Sequence, residues 1–133
     1  MGRRLILDTN VLIAIERGTL PSSSLSDDDE LAVAAVTVAE YRVRIELADT
    51  PERAAERARK LELLLADIDV LDYTLRTAVH HARLLAQVRR SGTQRSPYDL
   101  IIAAHAAETG RTVVSGDAKA RFGDLPGVAY LAA

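Results

Sequence analysis

"RRLILDTNVLIAIERG", residues 3–18, decides how the chain is read. Leu5 to Leu7 is a short apolar run behind two arginines, closed by Asp8; it reads as a buried strand over residues 3–7. "TNVLIAIERG" then carries helix-spaced apolar residues and stops at Gly18. A strand that passes through an acid straight into a helix is one half of a strand–helix–strand unit. The rest of the chain repeats the pattern.

"TLPSSSLSDDDE", 19–30, reads as a polar loop with one short helical turn, its acid run Asp27 to Glu30 solvated. "LAVAAV", 31–36, is a second strand, and "TVAEYRVRIELA", 37–48, a helix with Thr37 as N-cap. Thr50 caps a further helix over 50–67, with Pro51 at its first position. "IDVLDY", 68–73, is a third strand. The helix over 74–92 presents Leu75, Val79, Ala82, Leu85 and Ala86 on one face and ends at Gly92. "SPYDLIIAAHAAETG", 96–110, is an apolar helix closed by Gly110; "TVVSGD", 112–117, and "GVAYLA", 127–132, are strands four and five. Continuous apolar strands alternating with helices predict a three-layer α/β/α domain with a mainly parallel sheet of about five strands. Residues 1–133 read as a single domain.

Composition narrows the function. A net charge of −2 argues against attachment to nucleic acid by bulk charge, though not against a local basic rim. The absence of cysteine removes disulfides, thiolate nucleophiles and Cys-type zinc sites. No apolar run reaches the roughly 20 residues of a membrane span, and the N-terminal run is too short for a signal peptide. The expected location is the cytoplasm.

Four acids fall at strand ends or helix starts: Asp8 ends strand one, Glu40 lies in the first turn of the helix after strand two, Asp99 in the first turn of the apolar helix, and Asp117 follows strand four. Singly, each also reads as a cap or turn residue; Thr37–Glu40 and Ser96–Asp99 are capping-box patterns. As a set they read differently. In a doubly wound sheet, helix starts converge at the carboxyl edge of the strands. Four carboxylates there raise one another's pKa, and a magnesium-type cation with oxygen ligands offsets the repulsion. Such a site suits phosphate chemistry. Asp99, in the first turn of an otherwise apolar helix, is then a ligand projected from a rigid core element.

"LILDTNVLIA", "VTVAEYR", "SPYDLIIAAHA" and "VVSGD" resemble, in order and spacing, the motifs of PIN-domain ribonucleases, above all the VapC-type toxins of bacterial toxin–antitoxin pairs. The resemblance spans essentially the whole chain. It implies a Mg²⁺-dependent endoribonuclease (Mn²⁺ as substitute) that cuts structured RNA at tRNA or rRNA loops, leaving a 5′-phosphate and a 3′-hydroxyl. It further implies a cognate VapB-type antitoxin and a homodimer, forming a heterotetramer or larger assembly with that antitoxin. Carried over, Asp8, Glu40, Asp99 and Asp117 form the catalytic acidic cluster. Asp8 and Asp99 are direct metal ligands; Glu40 and Asp117 bind directly or through water, or orient the attacking water. Thr9, Asn10 and Ser115 support them by hydrogen bonds. Two features depart from the family: Ser115 stands where Thr is common, and Phe122 lies five positions after Asp117 rather than close behind it.

Arg17, Arg42, Arg44, Arg95, Lys119 and Arg121 each lie near a motif and are candidate RNA contacts, with Tyr98 a candidate base platform. No catalytic role falls to His80, His81 or His105. Val43, Ile45, Leu47, Leu61, Leu63, Leu64 and Leu65 suggest an apolar surface for a dimer or antitoxin. The competing readings are a non-enzymatic, Mg²⁺-binding receiver-like regulatory domain, a small phosphatase and a degenerate RNA-binding PIN domain. The first would want an acid pair before its first helix. The second needs D-x-D, where this chain has Asn10. The complete acid set argues against the third.

Overall fold

The computed structural model describes residues 2–133. The elements run β1 (Arg4–Leu7), α1 (Thr9–Arg17), β2 (Glu30–Ala34), α2 (Ala35–Glu46), α3 (Pro51–Leu65), β3 (Asp69–Leu71), α4 (Leu75–Ser91), α5 (Pro97–Thr109), β4 (Thr112–Ser115) and β5 (Ala129–Ala132). Two short 3₁₀ turns, Ala118–Ala120 and Phe122–Asp124, join β4 to β5. The strands form one sheet in the order β3-β2-β1-β4-β5, and every pairing is parallel. The fold is the three-layer α/β arrangement expected from the sequence.

Successive strand residues face opposite layers. Ile6 and Val113 pack under α4 and α5 with Leu100, Ile102, Ala103 and Phe122. Leu5, Leu7, Val33 and Val114 pack under α1 to α3 with Val11, Leu12, Tyr41 and Leu61. Helix α5 is buried nearly all round, from Leu100 through Ala106, and Gly110 ends it in the left-handed conformation. β1 is central: the chain moves outward from it to β2 and β3, then returns to β4 on its other side. The strand order therefore reverses between β1 and β4, and a crevice opens at their carboxyl ends.

Several boundaries differ from the sequence reading. β2 ends at Ala34 and α2 begins at Ala35, because alanine favours helix and a run of alanines does not mark the switch. Thr37 is therefore inside the helix, fully buried, with no partner for its Oγ1, and Glu40 lies in the second turn rather than the first. β3 is only three residues long, as befits an edge strand with one neighbour. Residues 19–29 form turns without helix. Asp29, read as solvated, is tied to Arg3 Nη2 at 2.6 Å with its side chain 2% exposed.

The face given to α4 is also corrected. Leu75 and Val79 are exposed, and Thr77 and Leu84 are buried, because α4 docks on α5 through a mixed polar seam. Thr77 Oγ1 donates to Glu108 at 2.7 Å in that seam. Of the apolar set on α2 and α3, Ile45 and Leu61 belong to the core. Val43, Leu47 and Leu63 stay exposed.

Candidate functional site

The first acid is fixed at the end of the central strand. Asp8 N–H donates to Val114 O at 3.0 Å, carrying the sheet pairing one residue past β1. Its carboxylate is buried and accepts from three donors. Thr9 N–H meets Oδ1 at 2.8 Å; Ser115 Oγ and Asn10 Nδ2 meet Oδ2 at 2.8 and 3.1 Å. Asp8 is thus also the N-cap of α1, so the capping and site readings coexist in one residue. A carboxylate has about four acceptor positions, so three bonds fix Asp8 and leave room for another ligand.

Ser115 ties the second strand end into the same network. Its Oγ accepts from Asp117 N–H at 3.0 Å, and Asn10 Oδ1 accepts from Gly116 N–H at 2.8 Å. Asp117 in turn caps the first 3₁₀ turn by accepting from Lys119 N–H at 3.0 Å. Across the crevice, Thr9 Oγ1 donates to Glu40 Oε1 at 2.9 Å. Glu40 is therefore held by α1, and the Thr37–Glu40 capping box does not form.

Asp99 is the exception. Among the described residues Ser96 makes no side-chain capping bond, and no hydrogen bond bears on the Asp99 carboxyl. Burial, then Asp8, Asp117 and Glu40, push its pKa up from 3.8 to about 6, with Arg95 opposing them. Glu40 is also raised, by burial first and by Asp8, while the Thr9 hydroxyl pulls it down. Each of the other three acids thus acts on Asp99 through space: the topology brings all four to one crevice.

The donor set is oxygen only, which suits a hard divalent cation rather than zinc. Among the described residues, no group of three or more His, Cys, Asp or Glu side chains is placed to hold a metal ion together. An ion of the Mg²⁺ type keeps several waters and needs only one or two carboxylates directly, so a pair of these acids would be enough to hold it. The unpartnered Asp99 and the strongly oriented Asp8 are the residues free to do so.

The basic candidates separate. Arg17 sits in the last turn of α1, about 12 Å along the axis from Thr9 and so away from the crevice. Arg44 is engaged in the fold: it pairs with Glu16 at 2.9 Å and lies over the Tyr41 ring, 5.1 Å from its centroid. Arg42 is exposed on α2. Lys119 and Arg121 are exposed beside Asp117, and Arg121 adopts a left-handed backbone with φ 48°. Arg95 reaches that loop and donates to the carbonyls of Ala120 and Arg121. Tyr98 is exposed next to Asp99. The histidines stay in the α4–α5 seam, where His81 Nδ1 meets Tyr73 OH at 2.8 Å and His105 is buried.

Two features were not readable from the sequence. One is the Arg95 bridge, which depends on carbonyls that carry no residue signature. The other is Tyr130 OH donating to Ser115 O at 3.3 Å from the edge strand.

Comparison with known proteins agrees with this geometry. The family model described as "PIN domain" matches residues 5–126. Ribonuclease VapC5 of Mycobacterium tuberculosis is 37% identical over 112 residues, covering 84% of this chain and 82% of that protein. The tRNA(fMet)-specific endonuclease VapC of Salmonella typhimurium is 31% identical over 98 residues, 74% of this chain and 71% of that one. A crystal structure of VapBC-5 from M. tuberculosis, a member of the VapBC family of toxin–antitoxin systems, superposes with a TM-score of 0.81 at 31% identity, covering 98% of both chains. The acids at the sheet's switch point, the all-parallel sheet and these relatives converge: the chain belongs to the PIN-domain family, among the VapC ribonucleases.

Proposed function

We propose that the chain is the toxin of a toxin–antitoxin pair. It hydrolyses phosphodiester bonds in structured RNA, such as tRNA or rRNA loops, with Mg²⁺ or Mn²⁺ at the Asp8–Glu40–Asp99–Asp117 crevice. The observation that carries the reading is Asp99: a half-buried carboxyl without a hydrogen bond, facing three other acids at the switch point. A fold-stabilising role gives no reason for leaving it unpartnered, since a cap is worth about 1 kcal/mol only when its bond is made.

In this reading Asp8 and Asp99 would hold the cation, with Glu40 and Asp117 placed to bind it through water or to orient the attacking water. A divalent cation supplies positive charge for the phosphate and acidifies water near it. The chain's own groups do the rest. Ser115 and Asn10 lock the Asp8 carboxylate. Thr9 aims Glu40, whose raised pKa makes it a better proton acceptor than an ordinary carboxylate. Water attack at phosphorus expels the 3′-oxygen, which takes up a proton; the products are a 5′-phosphate and a 3′-hydroxyl.

The VapBC relatives support a VapB-type antitoxin as partner, with exposed Val43, Leu47 and Leu63 available for it or for a homodimer. No helix among the described residues is long and apolar enough to cross a membrane. The test is cleavage of structured RNA with Mg²⁺, with Mn²⁺ and with EDTA, mapping the ends against Asp8→Asn. Metal-dependent cuts that vanish in the variant are expected. Cutting that persists in EDTA, or in the variant, overturns the proposal.

A further inference from the structure

Beside the acidic crevice, between the end of α4 and the start of α5, lies a cleft of about 820 Å³. Leu85, Val88, Pro97 and Leu100 give it an apolar lining, and Arg89 and Arg95 add two guanidinium groups. Arg95 lines the cleft and acts on the Asp99 charge, so the cleft lies near the carboxylates.

Arg95 has an unusual status for a half-buried arginine. Among the described residues only its Nη1 is bonded, to the carbonyls of Ala120 and Arg121. A guanidinium carries five N–H donors in a fixed fork, so three remain for another acceptor. A side chain already pinned loses little freedom when it takes one more ligand. Arg89 is exposed in the last turn of α4 and makes no ion pair among the described residues. An occupant must therefore offer anionic oxygens to two arginines and a flat apolar face to the lining. A nucleotide does both. An RNA strand with one phosphate in the crevice also carries its next nucleotide into the adjoining space.

We infer that this cleft is the subsite for the nucleotide flanking the scissile phosphate of single-stranded RNA. Arg95 is its fixed phosphate clamp, Arg89 its outer one, and Leu85, Val88 and Pro97 form the surface for the base. The inference rests on the ribonuclease reading above and adds the path of the strand. It also gives Arg95 a task beyond bracing the Ala118–Asp124 loop.

The experiment is binding of a short fluorescent single-stranded oligoribonucleotide in EDTA over a salt series. Each lost phosphate contact lowers the slope of log K against log salt by about 0.7 for a single strand. Arg89→Gln and Arg95→Gln are each expected to lower it by that amount. Leu85→Asn is expected to weaken binding at every salt concentration and leave the slope alone. Arg59→Gln, exposed on α3, serves as the unaffected control. Should Arg95→Gln unfold the loop, Arg89→Gln and Leu85→Asn decide, since neither touches the Ala120 and Arg121 carbonyls. Unchanged affinity and slope in those two overturn the subsite. So does a loss confined to antitoxin binding, which would make the cleft a protein interface. The two readings fail separately. A wild-type protein that binds with the full slope but cuts no RNA with Mg²⁺ or Mn²⁺ removes the ribonuclease reading. One that cuts, while Arg89→Gln and Leu85→Asn keep its KM, removes the subsite alone.

Discussion

Ser115 Oγ donates a 2.8 Å hydrogen bond to Asp8 Oδ2, across 107 positions of sequence. The same hydroxyl oxygen accepts from Asp117 N–H at 3.0 Å, so one buried atom sets the spacing between two strand ends. Ser115→Ala removes both links. Outer hydrogen-bonding partners of metal-holding carboxylates are worth about 10–100-fold in affinity or activity. A loss of that size in kcat/KM and in metal affinity is expected, with about 1–3 kcal/mol of stability. Ser115→Thr keeps the hydroxyl and should recover most of the activity. Metal titration and steady-state cleavage, run on both variants, check this; equal losses in the two would assign Ser115 to packing.

Thr9 and Glu40 give a prediction about pH. Burial and the Asp8 charge raise the Glu40 pKa, and the Thr9 hydroxyl opposes them. Thr9→Val removes the donor while keeping shape, so Glu40 should titrate higher still. The acidic limb of the pH–rate profile is expected to move to higher pH, with activity near neutrality reduced and activity in mild alkali recovered. An unmoved limb would separate Glu40 from the proton transfer.

Arg44 lies near a motif in sequence and is engaged within the fold. It follows Glu40 by four residues, yet its guanidinium closes α2 onto α1 through Glu16 at 2.9 Å. The Glu16 side chain is 7% exposed, so removing its partner strands a mostly buried charge. Arg44→Gln is expected to lower unfolding free energy by about 2 kcal/mol in urea titration, discounted from a fully buried pair because Arg44 is partly solvated. The salt slope of RNA binding should not change. A changed slope with unchanged stability would return Arg44 to the RNA surface.

The fold was legible because its signals are local. Apolar runs ending in acids, Gly18, Gly92 and Gly110 as stops, and Thr50–Pro51 as a start all depend on neighbours in sequence. Asp8 and Asp117 were legible together, because parallel topology sends strand ends to one edge; Glu40 and Asp99 join them from the first two turns of α2 and α5. Orientation was not. Which face of α4 meets α5 turned on Thr77 and Glu108, 31 positions apart, where a polar seam defeats an apolar-face rule. The alanine run at 34–35 hid the start of α2, since alanine suits the helix and packs well in the strand. The placement of Arg17 and Arg44 was not legible for a related reason: proximity in sequence does not carry a side chain around a helix or back along it.

Asp99 supplies the most direct test of the crevice. Its carboxyl titrates at about 6 in the folded chain against an ordinary 3.8. The folded state then binds more protons than the unfolded one between those values. Stability of the metal-free protein therefore falls as pH rises through that window, and the whole loss is present above it. Asn cannot ionise. In EDTA near neutral pH, Asp99→Asn should melt a few degrees above wild type, about 1 kcal/mol once solvent screening of a half-buried group is allowed for. Below the window the two should melt together. Divalent cation reverses the order, because it stabilises the wild type through binding and the variant far less. Thermal melts at the two pH values, with EDTA and with Mg²⁺, read all four states. A variant that melts well below wild type in EDTA at neutral pH would make Asp99 a prop of the fold, and the crevice would lose the residue on which its chemistry most depends.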